Sequence, residues 1–148
     1  MNTSIQRPAA VTALIDTDST PAPAAYTATV YMNSARRSFE GHQPCHLLAE
    51  ATRPDGSPLC LVFYAGDRIR GHETAAEAAF EVGIHQGQDD NGQTWPADIR
   101  SVSVGDVIKV TSPDHWIIHL RVDSTGFSAV PEPAHLTGIA GPRAVGRR

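Results

Sequence analysis

Residues 100–110 read RSVSVGDVIKV, and the fold turns on how they are read. Apolar and polar residues alternate on both sides of the pair Gly105-Asp106, the period-two signature of strands. The pair itself is either a catalytic carboxylate on a tight turn or the place where a sheet bends. Glu and His are absent from residues 99–113, so no local partner is at hand to share a proton with Asp106. Gly105 tolerates positive φ and Asp106 can accept hydrogen bonds from turn amides, so both are read as structural turn residues between two strands, SVSV and VIKV.

Upstream, YTATVYM alternates, with Tyr26, Ala28, Val30 and Met32 on one face, and reads as a strand. HLLAEAT and LCLVFYA flank RPDGSP, whose Pro-Asp-Gly is turn chemistry, so these two segments read as a hairpin. ETAAEAAFEVG is the helix: Thr74 as cap, Glu77 completing a capping box, Gly83 as the stop. Its Ala75, Ala79 and Val82 suit close approach to a sheet, and Glu77 and Glu81 then face water. The polar loop after it holds Trp95-Pro96, expected to tuck onto the core. In HWIIHLRV the alternation puts Trp116, Ile118, Leu120 and Val122 inward and Ile117, His119 and Arg121 outward. DSTG, with Gly126, turns the chain into the strand FSAV. The expected fold is α+β: a curved, mostly antiparallel sheet of five to six strands with one short helix packed on it.

A chain of 148 residues suits one domain with tails. Residues 1–25 end in a Pro/Ala-rich lead-in and residues 134–148 form a Gly/Pro/Arg-rich tail; both are expected to be flexible, leaving a domain over 26–133. No apolar run approaches the ~20 residues that span a bilayer, and Asp16 and Asp18 interrupt the only N-terminal apolar patch, so no membrane and a cytoplasmic location are expected. Between Ala25 and His135 there are eight basic and fourteen acidic residues, a balance of −6 within a chain of net −4. That field opposes contact with a phosphate backbone.

Three groups of residues carry the resemblance to a known family. AAEAAFEVG is followed by SVSVGDVI (Ser101, Val102, Ser103, Val104, Asp106, Val107, Ile108), and then by VDSTGFSAVP (Val122, Asp123, Ser124, Gly126, Phe127, Val130, Pro131). Together they resemble the YodL-like domain over residues 74–132, where a short helix precedes a strand pair and a V-D-S-x-G-F turn closes the domain. Thr125 departs from the aromatic or small residue common there. YMNSARRSFEGHQP also looks like the lead-in of small actinobacterial proteins with this module. The resemblance implies an accessory module of phages, plasmids or conjugative elements, and it brings no catalytic residues with it.

His115 and His119 have zinc-site spacing for a helix, but on a strand they stand ~13 Å apart and cannot share an ion. His42, Cys45 and His46 lack a fourth ligand, so neither a metal nor a cofactor is expected. Cys60 sits in an apolar strand, where its thiol is unactivated. Arg36 and Arg37 could join Arg68 and Arg70 in a basic patch, but the acidic balance and the lack of an aromatic stacking platform weigh against nucleic acid. Glu73, Glu77, Glu81, Asp89 and Asp90 suggest DNA mimicry against a defence enzyme. The preferred expectation is a non-catalytic module that binds an unidentified protein partner through the loop RSFEGHQP, with Arg36, Arg37, Phe39 and His42 in contact and Phe39 as the anchor.

Overall fold

The computed structural model describes residues 23–33, 48–133 and the backbone of 136–139. In chain order it runs β1 (Ala25–Asn33), β2 (Leu48–Glu50), β3 (Leu61–Tyr64), α1 (His72–Gly83), β4 (Val107–Thr111), β5 (Ile117–Val122), β6 (Phe127–Val130) and β7 (Leu136–Ile139). One helix lies on a mostly antiparallel sheet, the α+β arrangement that the alternation implies. The strand order is β6-β5-β4-β1-β2-β7, with β3 also paired to β1.

β1 is the hub because one edge serves β4 and the other serves two strands in line. Asn33 to Tyr31 pair with Leu48 to Glu50 of β2, and Ala28 to Ala25 pair with Leu61 to Tyr64 of β3. β2 and β3 therefore do not form the expected hairpin with each other. The Pro-Asp-Gly turn closes only a short excursion, bridged at Thr52 and Pro58, after which the chain resumes the same track along β1. Turn chemistry marks where the chain reverses; it does not say how far the flanking strands stay paired.

The helix-facing side holds the main core. Ala28, Val30, Ile108, Val110, Leu120 and Val122 project from the strands to meet Ala75, Ala76, Ala79 and Val82. The alanines have no exposed surface, so the helix backbone sits close to the sheet. Each buried Val, Ile or Leu contributes about 1.5–3 kcal/mol of transfer free energy. Trp95 packs here as expected, its Nε1 donating to the Arg100 carbonyl at 2.9 Å.

The helix begins two residues before the expected cap. Gly71 is the N-cap, and Thr74 stands at N3, where its hydroxyl accepts from the Gly71 and Arg70 amides at 3.0 and 2.9 Å. Gly83 is not the stop either. It lies inside the last turn and is buried, and a Cβ there would meet Val102 Cγ2 at 2.3 Å. The stop is His85 with φ 63°, flanked by Gln86 N–H to Glu81 O at 2.9 Å and His85 N–H to Val82 O at 3.0 Å. These are the paired bonds of a Schellman ending, with an imidazole where glycine is usual.

Three further expectations are corrected. Residues 101–103 are not a strand; SVSV is drawn out of the sheet by the turn that ends in Asp106. Trp116 is two-thirds exposed, while His119 is buried on the face away from the helix. Residues 136–139, expected to fray, form β7 parallel to β2, because an open strand edge offers main-chain partners whatever the side-chain pattern. Six residue steps from Val130 to Leu136 reach at most ~22 Å. A flat sheet would set β6 and β7 about 24 Å apart at ~4.8 Å per strand. The sheet therefore curls, and Val130 packs with Tyr31, Leu48 and Val107 on its second face.

The two helix-end residues separate packing from backbone strain. Gly83→Ala is expected to cost ~1–3 kcal/mol by overpacking against Val102, while His85→Gly gains about 1 kcal/mol by relieving its left-handed backbone. Urea unfolding of both variants checks this pair of opposite signs.

Candidate functional site

Asp106 lies at the head of β4 with no exposed surface. Its Oδ1 accepts from the Asn33 amide at 2.7 Å and from Arg100 Nη2 at 2.8 Å. Its Oδ2 accepts from Arg100 Nη1 and the Ser103 amide, both at 2.9 Å. Arg100 Nη2 also donates to the Asn33 carbonyl at 2.9 Å, and Asn33 Nδ2 donates to the Gly105 carbonyl at 3.0 Å. The Asp106 hydrogen bonds hold the Arg100 guanidinium further into its charged range, against the opposing effect of burial. Gly105, at φ 98°, makes the turn into this position, and Gly126, at φ 87°, makes the β5–β6 turn. A carboxylate with both oxygens so engaged acts as a fastener.

Acidic side chains elsewhere take the same role. Asp89 is buried, and its Oδ1 accepts from the amides of Asn91 and Gln93 at 3.0 and 2.7 Å. Its Oδ2 accepts from the Val62 amide at 2.9 Å, and Asp90 Oδ2 accepts from the Tyr64 amide at 2.8 Å. Val62 and Tyr64 are alternate residues of β3, so the two carboxylates close that strand's outer edge. Arg68 pairs with Asp90 at 3.0 Å, and Arg70 Nε donates to the Asp67 carbonyl at 3.1 Å. Neither arginine lies on a strand. Glu73, Glu77 and Glu81 remain exposed.

Arg36, Arg37, Phe39, His42, Cys45 and His46 lie outside the described residues. Cys60 is a half-buried free thiol. Among the described residues no group of three His, Cys, Asp or Glu side chains could hold a metal ion. His115 stands exposed in the turn before β5, away from the buried His119. No described helix is long and apolar enough to cross a membrane.

Sequence reading missed a surface assembled from distant segments. Tyr26 meets His72 edge-on at 5.8 Å between ring centroids, and His72 meets Trp116 in the same way at 6.4 Å. His72 Nε2 donates to the Trp116 carbonyl at 2.8 Å, which fixes the proton on that nitrogen. Trp116 is 66% exposed, Ile117 47% and Tyr64 37%. The register Ala25↔Tyr64, Thr27↔Thr111 and Thr111↔Ile117 places all three at the same end of the sheet. The strand period puts Trp116 inward because it counts one residue too far; TSPD before it is the signal that the strand has not yet begun.

On the second face an open groove of about 500 Å³ runs between Lys109, Ile117, His119, Val130 and Glu132. His119 stacks on Tyr31, with centroids 6.2 Å apart and planes 18° from parallel. Burial, followed by the charges of Glu50 and Glu132, pushes the Tyr31 hydroxyl up. A second groove of about 310 Å³ separates Glu77, Phe80 and Glu81 from the β5–β6 turn. Compared with known protein families, curated proteins and solved structures, the chain finds no match.

Burial is the chief influence on His119 and lowers its pKa, with Glu132 opposing and Lys109 adding to the effect. The unfolded chain then takes up a proton that the folded one resists. Stability is therefore full above the ordinary imidazole value of about 6.5 and declines as pH falls below it. Unfolding midpoints between pH 5 and 8 should slope less in His119→Gln than in the wild type; equal slopes would remove His119 as the cause.

Proposed function

We propose that the chain is a non-catalytic module that docks a protein partner through the sheet end bearing Trp116, Ile117 and Tyr64. One observation carries this reading. The large hydrophobic side chains exposed among the described residues all stand at that end of the sheet, Trp116 on the helix side and Ile117 and Tyr64 on the opposite side. Single exposed residues are ordinary, whereas exposure confined to one end with an aromatic anchor suits a contact surface. The main chain at Trp116 is also fixed. Its amide donates to Ser112 Oγ at 3.0 Å, and its carbonyl accepts from the Ser112 amide at 2.9 Å and from His72. A backbone fixed in this way has less conformational freedom to lose on binding.

The engagement of Asp106, Asp89 and Asp90 with amides supports a binding role over catalysis, since a general base needs a free lone pair directed at substrate. The resemblance to YodL-like sequences adds the setting: an accessory module of a phage, plasmid or conjugative element, acting on a host protein in the cytoplasm. A second reading draws on the ring series Tyr26, His72 and Trp116, which offers the kind of face on which single-stranded bases stack. The acidic balance disfavours it. DNA mimicry is weaker still, because Asp89 and Asp90 are tied into the fold.

A photo-reactive phenylalanine analogue at position 116 is expected to cross-link one discrete protein in a host extract. The same analogue at position 77 should not, and Ile117→Asp should abolish the product. Trp116→Ala should leave the unfolding free energy within about 0.5–1 kcal/mol of wild type. Equal labelling from both positions would contradict the proposal. Low-salt binding of a fluorescent single-stranded oligonucleotide that quenches Trp116 would favour the second reading.

A further inference from the structure

We propose that β6 is a self-association edge, joining two copies of this chain by antiparallel pairing centred on Ser128. β6 ends the strand order and pairs only with β5 among the described residues. The Asp123 amide donates to the Gly126 carbonyl at 3.0 Å, and the Val122 amide donates the other way, to the Asp106 carbonyl just before β4, at 2.8 Å. Main-chain groups alternate sides along an antiparallel strand. Ser128 and Val130 therefore turn theirs toward Arg121 and His119 of β5, while Phe127 and Ala129 turn theirs outward. No hydrogen bond among the described residues satisfies those outward groups.

The contrast with β3 is informative. There the chain closes the outer edge with two carboxylates, whereas residues 127–130 contain no charge, proline or bulge to deter pairing. Pro131 removes the next outward donor and so limits the contact to a short edge.

The occupant follows from the segment GFSAV, residues 126–130, which is complementary to itself. With Ser128 on a two-fold axis, Phe127 lies opposite the partner's Ala129 and exchanges both main-chain bonds with it, and the symmetric pair repeats this. Gly126 lies opposite the partner's Val130. Each bulky residue meets a small one, and none of the five paired residues carries a charge. A closed two-fold contact of this kind is isologous and cannot propagate into a fibre. The edge is short, so the dimer is weak and concentration-dependent.

Sedimentation equilibrium on the full chain, across a wide concentration range, should show a reversible monomer–dimer equilibrium. Ala129→Pro deletes an outward amide while sparing the bonds to β5, and it should be monomeric at every concentration with unchanged circular dichroism. A separate readout does not depend on that variant folding. In an antiparallel pair without direct main-chain bonds, facing side chains are close enough for a disulfide. Ser128→Cys should therefore yield a reducible covalent dimer under mild oxidation, well ahead of Ala129→Cys and of the wild type with its own thiols. A wild type that is monomeric throughout, or equal cross-linking of the two cysteine variants, would overturn the proposal. Ala129→Pro should still label the protein partner from position 116; the two surfaces are thus told apart.

Discussion

The structure depends on satisfying one carboxylate that water cannot reach. Removing Asp106 from solvent costs several kcal/mol unless every oxygen finds donors and a countercharge. The donors come from two places, the end of β1 at Asn33 and the loop at Arg100 and Ser103, and Asn33 Nδ2 donates in turn to the Gly105 carbonyl, which ties the turn to them. Asn33 and Asp106 are 73 positions apart in the chain. None of these segments can shift without leaving a buried charge unpaired, so the knot sets where β4 begins. With that start fixed, the β1–β4 register follows from Tyr31↔Val107 onward.

The same chemistry explains what the acidic excess is for. In sequence, Asp89 and Asp90 look like a surface charge run. In the fold they stand in for backbone carbonyls along β3, where no further strand is available. A carboxylate can serve several amides at once, as Asp89 does for Val62, Asn91 and Gln93, and such charge-assisted bonds are the stronger kind. Part of the negative charge is therefore structural. Glu73, Glu77 and Glu81 on the helix, by contrast, stay exposed.

Local pattern made the helix, the strand nature of β1, β4, β5 and β6, and the one-helix sheet legible, because burial on one face imposes a period that survives in the residue order. The turn role of Gly105 and Asp106 was legible too, from turn preferences alone. Arg100 was not: an arginine six positions before its partner, across an irregular loop, leaves no periodic trace. The paired use of β1 by β2 and β3 was hidden for a different reason, since strand partners are chosen by tertiary contact and two in-line strands look like a hairpin. His119 was assigned to water because alternation assumes that only one face is buried, whereas the curl of the sheet buries part of the second with Tyr31, Val107 and Val130. The Tyr26–His72–Trp116 surface lay beyond reach, as its members come from three elements. The loop around Phe39, the contact expected from sequence, lies outside the described residues.

The claim that Asp106 is scaffolding rather than machinery has a direct measure in the equilibrium unfolding of Asp106→Asn. The substitution keeps the shape but removes the charge that Arg100 answers and puts an amide donor where an acceptor is needed. The account predicts a loss of ~2–4 kcal/mol with an unchanged denaturant slope. A variant that unfolds within about 0.5 kcal/mol of wild type, inside the usual range for a neutral surface change, would contradict it.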